Sequence, residues 1–272
     1  MTIYQKLENA ITKNNSLVSV GLDSDIAKLP EQFKNDPTPQ FAFNKATIDA
    51  THDLVCAYKP NTAFYEARGA RGIDELKMTC DYIKTNYPDI FIVIDAKRAD
   101  IGNTNKGYVE FVFDYLGADA ITLHPYLGQE ALRPFLERKD KASIILCRTS
   151  NQGSGEFQDL KINGKKLYQI VAERVTKEWN ANGNCMLVTG ATYPEELAAV
   201  RKIVGDLPLL VPGIGAQGGN VEKTVKAGLN SKKQGMIINS SRGIIFASSG
   251  EDFADKAREE TLKLRDEINK YR

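Results

Sequence analysis

Tryptophan and histidine are the scarcest residues of this 272-residue chain, with one and two copies. Two histidines as far apart as His52 and His124 make a His-rich metal centre improbable. Cysteine is sparse as well: Cys56, Cys80, Cys147 and Cys185 form no C-x-x-C pair and stand at no metal-type spacing from either histidine. Three of them, Cys56, Cys147 and Cys185, lie in apolar runs, where a free thiol behaves as a small buried hydrophobe. They are expected to be reduced core residues rather than nucleophiles. Charge of one sign is missing too. The 36 Lys and Arg face 35 Asp and Glu, a formal net charge of +1, so no global field favours nucleic acid or an anionic membrane. No long uncharged apolar run occurs and mean hydropathy is −0.35, which excludes a spanning helix. The start, MTIYQKLENAITKNN, lacks the hydrophobic block of a signal peptide. The expectation is a soluble, cytoplasmic protein.

What the chain does have is 42% hydrophobic and 26% charged residues, enough for a sizeable core. Short apolar runs recur at Leu17–Leu22, Leu54–Tyr58, Phe91–Ile94, Ala120–Leu123, Ser143–Cys147, Cys185–Val188, Leu207–Val211 and Gly235–Ile238. Each has strand length and is mostly aliphatic, as in a parallel sheet buried on both faces. Helical spacing appears between them, for example from Phe41 to His52 and from Leu167 to Glu178. Eight strands alternating with helices predict an α/β fold, a (β/α)₈ TIM barrel, formed by residues 1–272 as a single domain with a short N-terminal helical extension. A doubly wound open sheet shares the local pattern, but the count of eight in a chain of this size favours the barrel.

The segments that follow these runs read GLDSD, YKPN, DAKRAD, LHPY, CRTSNQGSG, TGATY, PGIGAQGG and NSSRG. In a barrel those strand ends converge on one face, where the loops build the site. Within Asp95-Ala96-Lys97-Arg98-Ala99-Asp100, strand alternation sends Val93, Asp95 and Lys97 to one face and Ile94 and Ala96 to the other. The apolar pair suits the outer helices, so Asp95 and Lys97 are expected to face the barrel axis, with Asp100 just beyond on the loop. Lys59 closes the second strand and Asp23 the first. Two such charges could be an ion-pair layer sealing the barrel top; several at consecutive strand ends point to catalysis.

A phosphate is suggested by two further segments. The Gly-rich segment Pro212 to Gly219 offers backbone N–H groups without side-chain obstruction, and Asn239-Ser240-Ser241-Arg242-Gly243 adds a guanidinium suited to bidentate anion contacts. Phosphate sites in barrels often follow strands seven and eight. His52 reads as a surface or packing residue, and His124 as structural rather than catalytic.

At these residues the chain resembles the orotidine 5′-phosphate decarboxylase family, in its longer bacterial-type subgroup. The most specific element is the D-x-K-x-x-D segment from Asp95 to Asp100 with Thr104 downstream. FNKATIDATHDLVCAYKPNTAFYE, TLHPYLG, RTSNQGSGEFQ and VPGIGAQGG extend the likeness over nearly the whole chain. The resemblance implies a Lys59, Asp95, Lys97, Asp100 catalytic array, with Asp100 supplied across a homodimer interface. It implies that Asp23 and Thr104 contact the ribose, Ser150 reads the pyrimidine, and Gln217 and Arg242 hold the phosphate. The implied reaction is decarboxylation of orotidine 5′-phosphate to UMP without cofactor or metal, Lys97 protonating the C6 carbanion. Related phosphate-binding barrels sharing D-x-K-x-x-D look metal-dependent and carry an acid where this chain has Lys59, whose ammonium cannot ligate Mg²⁺. A Schiff-base aldolase using Lys97 or Lys59 and a catalytically silent barrel that only binds nucleotide stay open as rivals.

Overall fold

Eight parallel strands close into a barrel in simple sequential order in the computed structural model, which describes residues 1–214 and 219–272. They are β1 (Val18–Gly21), β2 (Ala57–Lys59), β3 (Phe91–Arg98), β4 (Ala120–Leu123), β5 (Ala142–Arg148), β6 (Cys185–Thr189), β7 (Leu209–Pro212) and β8 (Met236–Ser240). The register Val18↔Ile238 shuts the ring between β1 and β8. All eight apolar runs therefore became strands, and the open sheet falls. The second is displaced: its first residue, Leu54, ends a turn of 3₁₀ helix over His52–Leu54, and the strand starts at Ala57.

Helices over Pro39–Thr51, Ala70–Asn86, Gly102–Val109, Gly128–Leu136, Leu167–Arg174, Pro194–Val204, Val221–Gly228 and Phe253–Asn269 follow the strands in turn. Two begin with proline at the first helical position, where its missing N–H costs nothing. Side-chain alternation on β2 shows how strands and helices share residues. Tyr58 is buried and its hydroxyl donates to Ile48 O at 3.1 Å on the helix outside, so Lys59, one residue on, turns inward.

The expected N-terminal helix spans Ile3–Asn14 and starts with a capping box between Thr2 and Gln5. It closes the end of the barrel where strands begin. Leu7, Ala10 and Ile11 are buried there, and Lys6 Nζ lies 2.7 Å from Asp119 just before β4. One element was not expected: an antiparallel hairpin of Lys161–Ile162 with Lys165–Lys166, between β5 and its helix. Its turn is Asn163-Gly164, with φ of 51° and 82°. An Asn-Gly pair is the strongest short-range hairpin signal, so this element has a legible mark in the sequence.

Candidate active site

A cavity of about 520 Å³ opens at the C-terminal ends of the strands. Leu146, Val188 and Leu210 line it from β5, β6 and β7, and charged and polar groups from the ends of β1, β2, β3, β5 and β8 join them. Asp95 is the hub. Its Oδ2 accepts from Lys59 Nζ at 2.8 Å and Asn61 Nδ2 at 3.4 Å, and its Oδ1 accepts from Lys97 Nζ at 2.6 Å and Thr122 Oγ1 at 2.9 Å. Asp23 Oδ1 lies 4.0 Å from Lys59 Nζ, buried and without a hydrogen-bond donor among the described residues.

Side-chain exposure falls from 48% for Lys97 to 11% for Asp95 and 4% for Lys59, so the array runs from the open cavity into the barrel wall. Burial by itself would raise the Asp95 carboxyl. The two ammonium groups outweigh it and hold that carboxyl well below the usual carboxylate range. Burial likewise disfavours the charged form of Lys59, but Asp95 and Asp23 more than offset it, leaving Lys59 above the ordinary lysine value. That direction opposes a Schiff-base role for Lys59, which requires a neutral amine near neutral pH.

Lys97 reaches the cavity as expected, but not by plain alternation. Its φ is +47°, in the left-handed region, and the β3–β4 register slips between Ile94 and Arg98. A non-glycine residue there costs about 1–3 kcal/mol, and such strain persists only where surrounding contacts over-determine it. Here Thr122 Oγ1 accepts the Lys97 N–H at 2.9 Å while donating to Asp95, so one hydroxyl fixes both the twisted backbone and its counter-ion. Thr122 and Asn61 were not singled out from the sequence. Thr122 sits mid-strand in AITL without any local mark, whereas Asn61 directly follows Lys59-Pro60.

Ser150 lines the cavity beside Asn151 and Gln158, on the loop after β5. It lies so close to β6 that a Cβ on Gly190 would stand 2.7 Å from Ser150 Cβ, which only glycine avoids. Arg242 lines the cavity at the start of the short helix Arg242–Ile245, with Asn239 and Ser241 beside it. Gln217 lies outside the described residues. Two expected site residues are not brought to this cavity by their own chain. Asp100 is tied into its loop, its N–H donating to Asn105 Oδ1 at 2.9 Å and its Oδ1 accepting from Ile101 N at 2.7 Å. Thr104 is exposed and lines a separate, mostly apolar groove with Tyr108 and Phe111.

The remaining candidates take structural places. All four cysteines are free and buried, and burial pushes the thiols of Cys56, Cys80 and Cys185 up to about 12, unsuited to nucleophilic work. His52 stacks on Tyr87 with ring centroids 4.2 Å apart, and His124, whose backbone N–H donates to Arg98 O at 3.1 Å, is not part of the cavity lining.

Known proteins share this sequence and this fold. A family model described as Orotidine 5′-phosphate decarboxylase / HUMPS family matches residues 17–257. A Cellvibrio japonicus protein named orotidine 5′-phosphate decarboxylase is 51% identical over 271 residues, covering 99% of this chain and 98% of its own. One of the same name from Flavobacterium johnsoniae is 50% identical, with 97% and 96% covered. Among solved structures, Leishmania donovani OMP decarboxylase superposes with a TM-score of 0.82 at 38% identity, covering 97% of this chain and 99% of that one. Leishmania donovani UMP synthase gives 0.85 at 40% identity, but this chain spans only 57% of that longer polypeptide.

Proposed function

This chain belongs to the orotidine 5′-phosphate decarboxylase family, and we propose for its residues a division of labour in a cofactor-independent decarboxylation. The reaction is loss of CO₂ from orotidine 5′-phosphate to give UMP, a carboxy-lyase step of pyrimidine biosynthesis. Breaking the bond at the pyrimidine C6 leaves a vinyl-type carbanion with little resonance stabilisation. Charged groups already held in place must stabilise it, because reorienting them during the reaction would itself cost energy.

Lys97 carries that task. Its Nζ is anchored 2.6 Å from Asp95 yet half-exposed to the cavity, so it can stabilise the developing negative charge and then deliver the proton to C6. Asp95 aims Lys97 and crowds the substrate carboxylate; like charges about 4 Å apart repel by about 4 kcal/mol at an effective dielectric near 20. Lys59 keeps Asp95 ionised from the wall side. Asp23 Oδ1, buried without a donor among the described residues, suits a ribose hydroxyl. Ser150 faces the pyrimidine, and Arg242 with Gln217 grips the phosphate, remote from the bond that breaks. Binding energy gained there can serve to close loops and align charges.

The single observation that carries this reading is the Lys59–Asp95–Lys97 chain inside the cavity. Asp100 and Thr104 lie outside the cavity of their own chain. We infer that the enzyme is a homodimer, and that Asp100 of the partner subunit and Thr104 of the partner subunit complete each site. Residues 1–272 then act as one domain, in the cytoplasm, where four unpaired thiols stay reduced. The test is the loss of orotidine 5′-phosphate absorbance on adding purified protein, before and after exhaustive dialysis against EDTA. Equal rates are expected. Binding of UMP without turnover would leave only a nucleotide-binding barrel, and activity that vanishes and returns with Mg²⁺ or Zn²⁺ would favour the metal-dependent relatives.

A further inference from the structure

Beside the cavity, at the end of β5, Arg148 is buried although its neighbours in the strand are apolar. The β5–β6 register slips between Leu146 and Arg148, which turns the guanidinium out of the barrel and against the helix Pro194–Val204. There it binds Glu196, in that helix's first turn, through both Nε and Nη2, and stacks 4.8 Å from the Tyr193 ring centroid. The other edge of the same guanidinium faces the loop that leaves β5. Its Nη1 donates to Ser154 Oγ at 2.7 Å and Gln158 Oε1 at 3.4 Å, and Nη2 reaches Asp159 Oδ2 at 3.3 Å. One side chain thus grips the loop at its middle and at its far end.

That loop supplies Ser150, Asn151 and Gln158 to the cavity. The grip is relayed to them: Gln158 Oε1 accepts from Thr149 N at 2.9 Å, its Nε2 donates to Thr149 Oγ1 at 2.8 Å, and that hydroxyl donates to Asn151 Oδ1 at 2.6 Å. A buried charge used only to join two surface elements is a poor stabiliser, since an apolar pair of similar volume serves as well. A rigid fork of five donors is what fixes several acceptors at set angles. The phosphate-side groups Asn239, Ser241 and Arg242 come from the end of β8 and the turn after it, three strands along the ring from β5, and share none of these bonds among the described residues.

We infer that Arg148 is a positioning residue for base recognition, holding the β5 loop against Glu196 so that its polar side chains meet the pyrimidine. The inference rests on the proposed placement of the base, and separates it energetically from the phosphate. Its test is the affinity of UMP set against that of ribose 5-phosphate, which has the sugar and phosphate but no base. Arg148→Met/Glu196→Gln removes both charges of the pair together, so neither is left facing an absent counter-charge. Ser154→Ala removes one grip by a residue outside the cavity while the Arg148–Glu196 ion pair stays in place. UMP should bind at least about tenfold more weakly in the double variant and about threefold more weakly in Ser154→Ala, with kcat/KM falling alongside. Ribose 5-phosphate should stay within twofold of wild type in both. Parallel weakening of the two ligands, or no change in either, overturns the inference, and Ser154→Ala decides if the double variant does not fold. Wild-type protein that binds UMP but does not turn over substrate would defeat the decarboxylase reading and leave this comparison standing.

Discussion

Lys97 combines the most consequential charge with the least comfortable backbone in the cavity. At a φ of +47°, a Cβ is strained whatever the side chain, so two replacements separate chemistry from geometry. Lys97→Ala and Lys97→Gly should both lose at least about a thousandfold in kcat/KM, the scale of a proton donor or a charge stabiliser removed. Both should keep wild-type circular dichroism, because Asp95 retains Lys59, Asn61 and Thr122 as partners. The glycine variant should be more stable than the alanine variant by about 1 kcal/mol, the left-handed penalty that glycine escapes. Denaturant midpoints check the order; an alanine variant equal or superior would mean that position 97 holds no strain. Asp95 carries the pH behaviour. Its folded carboxyl lies below the unfolded value, so the stability it contributes is present above about pH 4 and is lost as pH falls through the folded value. Lys59 has the opposite sign: its contribution is complete below its unfolded value near 10.4 and fades as pH rises through the higher folded one. The stability difference between wild type and Asp95→Asn should therefore be flat from about pH 5 to 9 and shrink below about pH 4. A step near neutrality would show that another group sets the charge of the array.

Secondary-structure elements divide the labour between the barrel's two ends. The strand ends that carry the cavity are irregular, with register slips in β3 and β5 that aim Lys97 inward and Arg148 outward. The opposite end is closed by the helix Ile3–Asn14, whose buried face includes Leu7 at 1% exposure. In barrels, residues at that end serve stability and those at the other serve catalysis. Leu7→Ala should accordingly cost about 2–5 kcal/mol, the range for a buried leucine truncated in a packed core. Its kcat and KM at 25 °C should match wild type. A changed kcat in a variant that is still fully folded would show that the two ends are coupled.

The whole molecule raises the question of how many chains make a site. Lys97 and Asp100 lie three residues apart in sequence, yet only Lys97 lines its own chain's cavity. In a twofold dimer each site would take one residue from each subunit, since an isologous interface exchanges the same element twice. Lys97→Ala and Asp100→Asn homodimers should each be nearly inactive. Mixed under conditions that allow exchange, about half the dimers become heterodimers, each with one site free of lesions, so about a quarter of all sites are restored. Activity should rise to about that fraction of wild type, with exchange verified by differently tagged subunits. If heterodimers form and activity stays at the parental level, Asp100 acts within its own chain or not at all.

Much of this protein was determined by local sequence alone. Eight aliphatic runs became eight strands, because a strand buried on both faces must be apolar throughout and little else in a short segment competes with that demand. Polar residues placed just past those runs had to meet at one end once the ring closed, which is why Asp23, Lys59, Asp95, Lys97, Ser150 and Arg242 are legible as one group along the chain. Their exact aim belonged to the tertiary structure. Period-two alternation is a rule for an unbroken ladder, and it cannot foresee a slip that depends on the neighbouring strand, as at Lys97 against Thr122. Thr122 itself has no signature in AITL; its role arises because β4 lies beside β3 and delivers one hydroxyl between a backbone N–H and a carboxylate. Arg148 shows the same limit, since Glu196 lies 48 residues away and only helix packing brings them together. Charge, apolarity and turn chemistry act over a few residues and can be read along the chain. Which polar group completes another's shell depends on distances between elements, and closure of the barrel sets those.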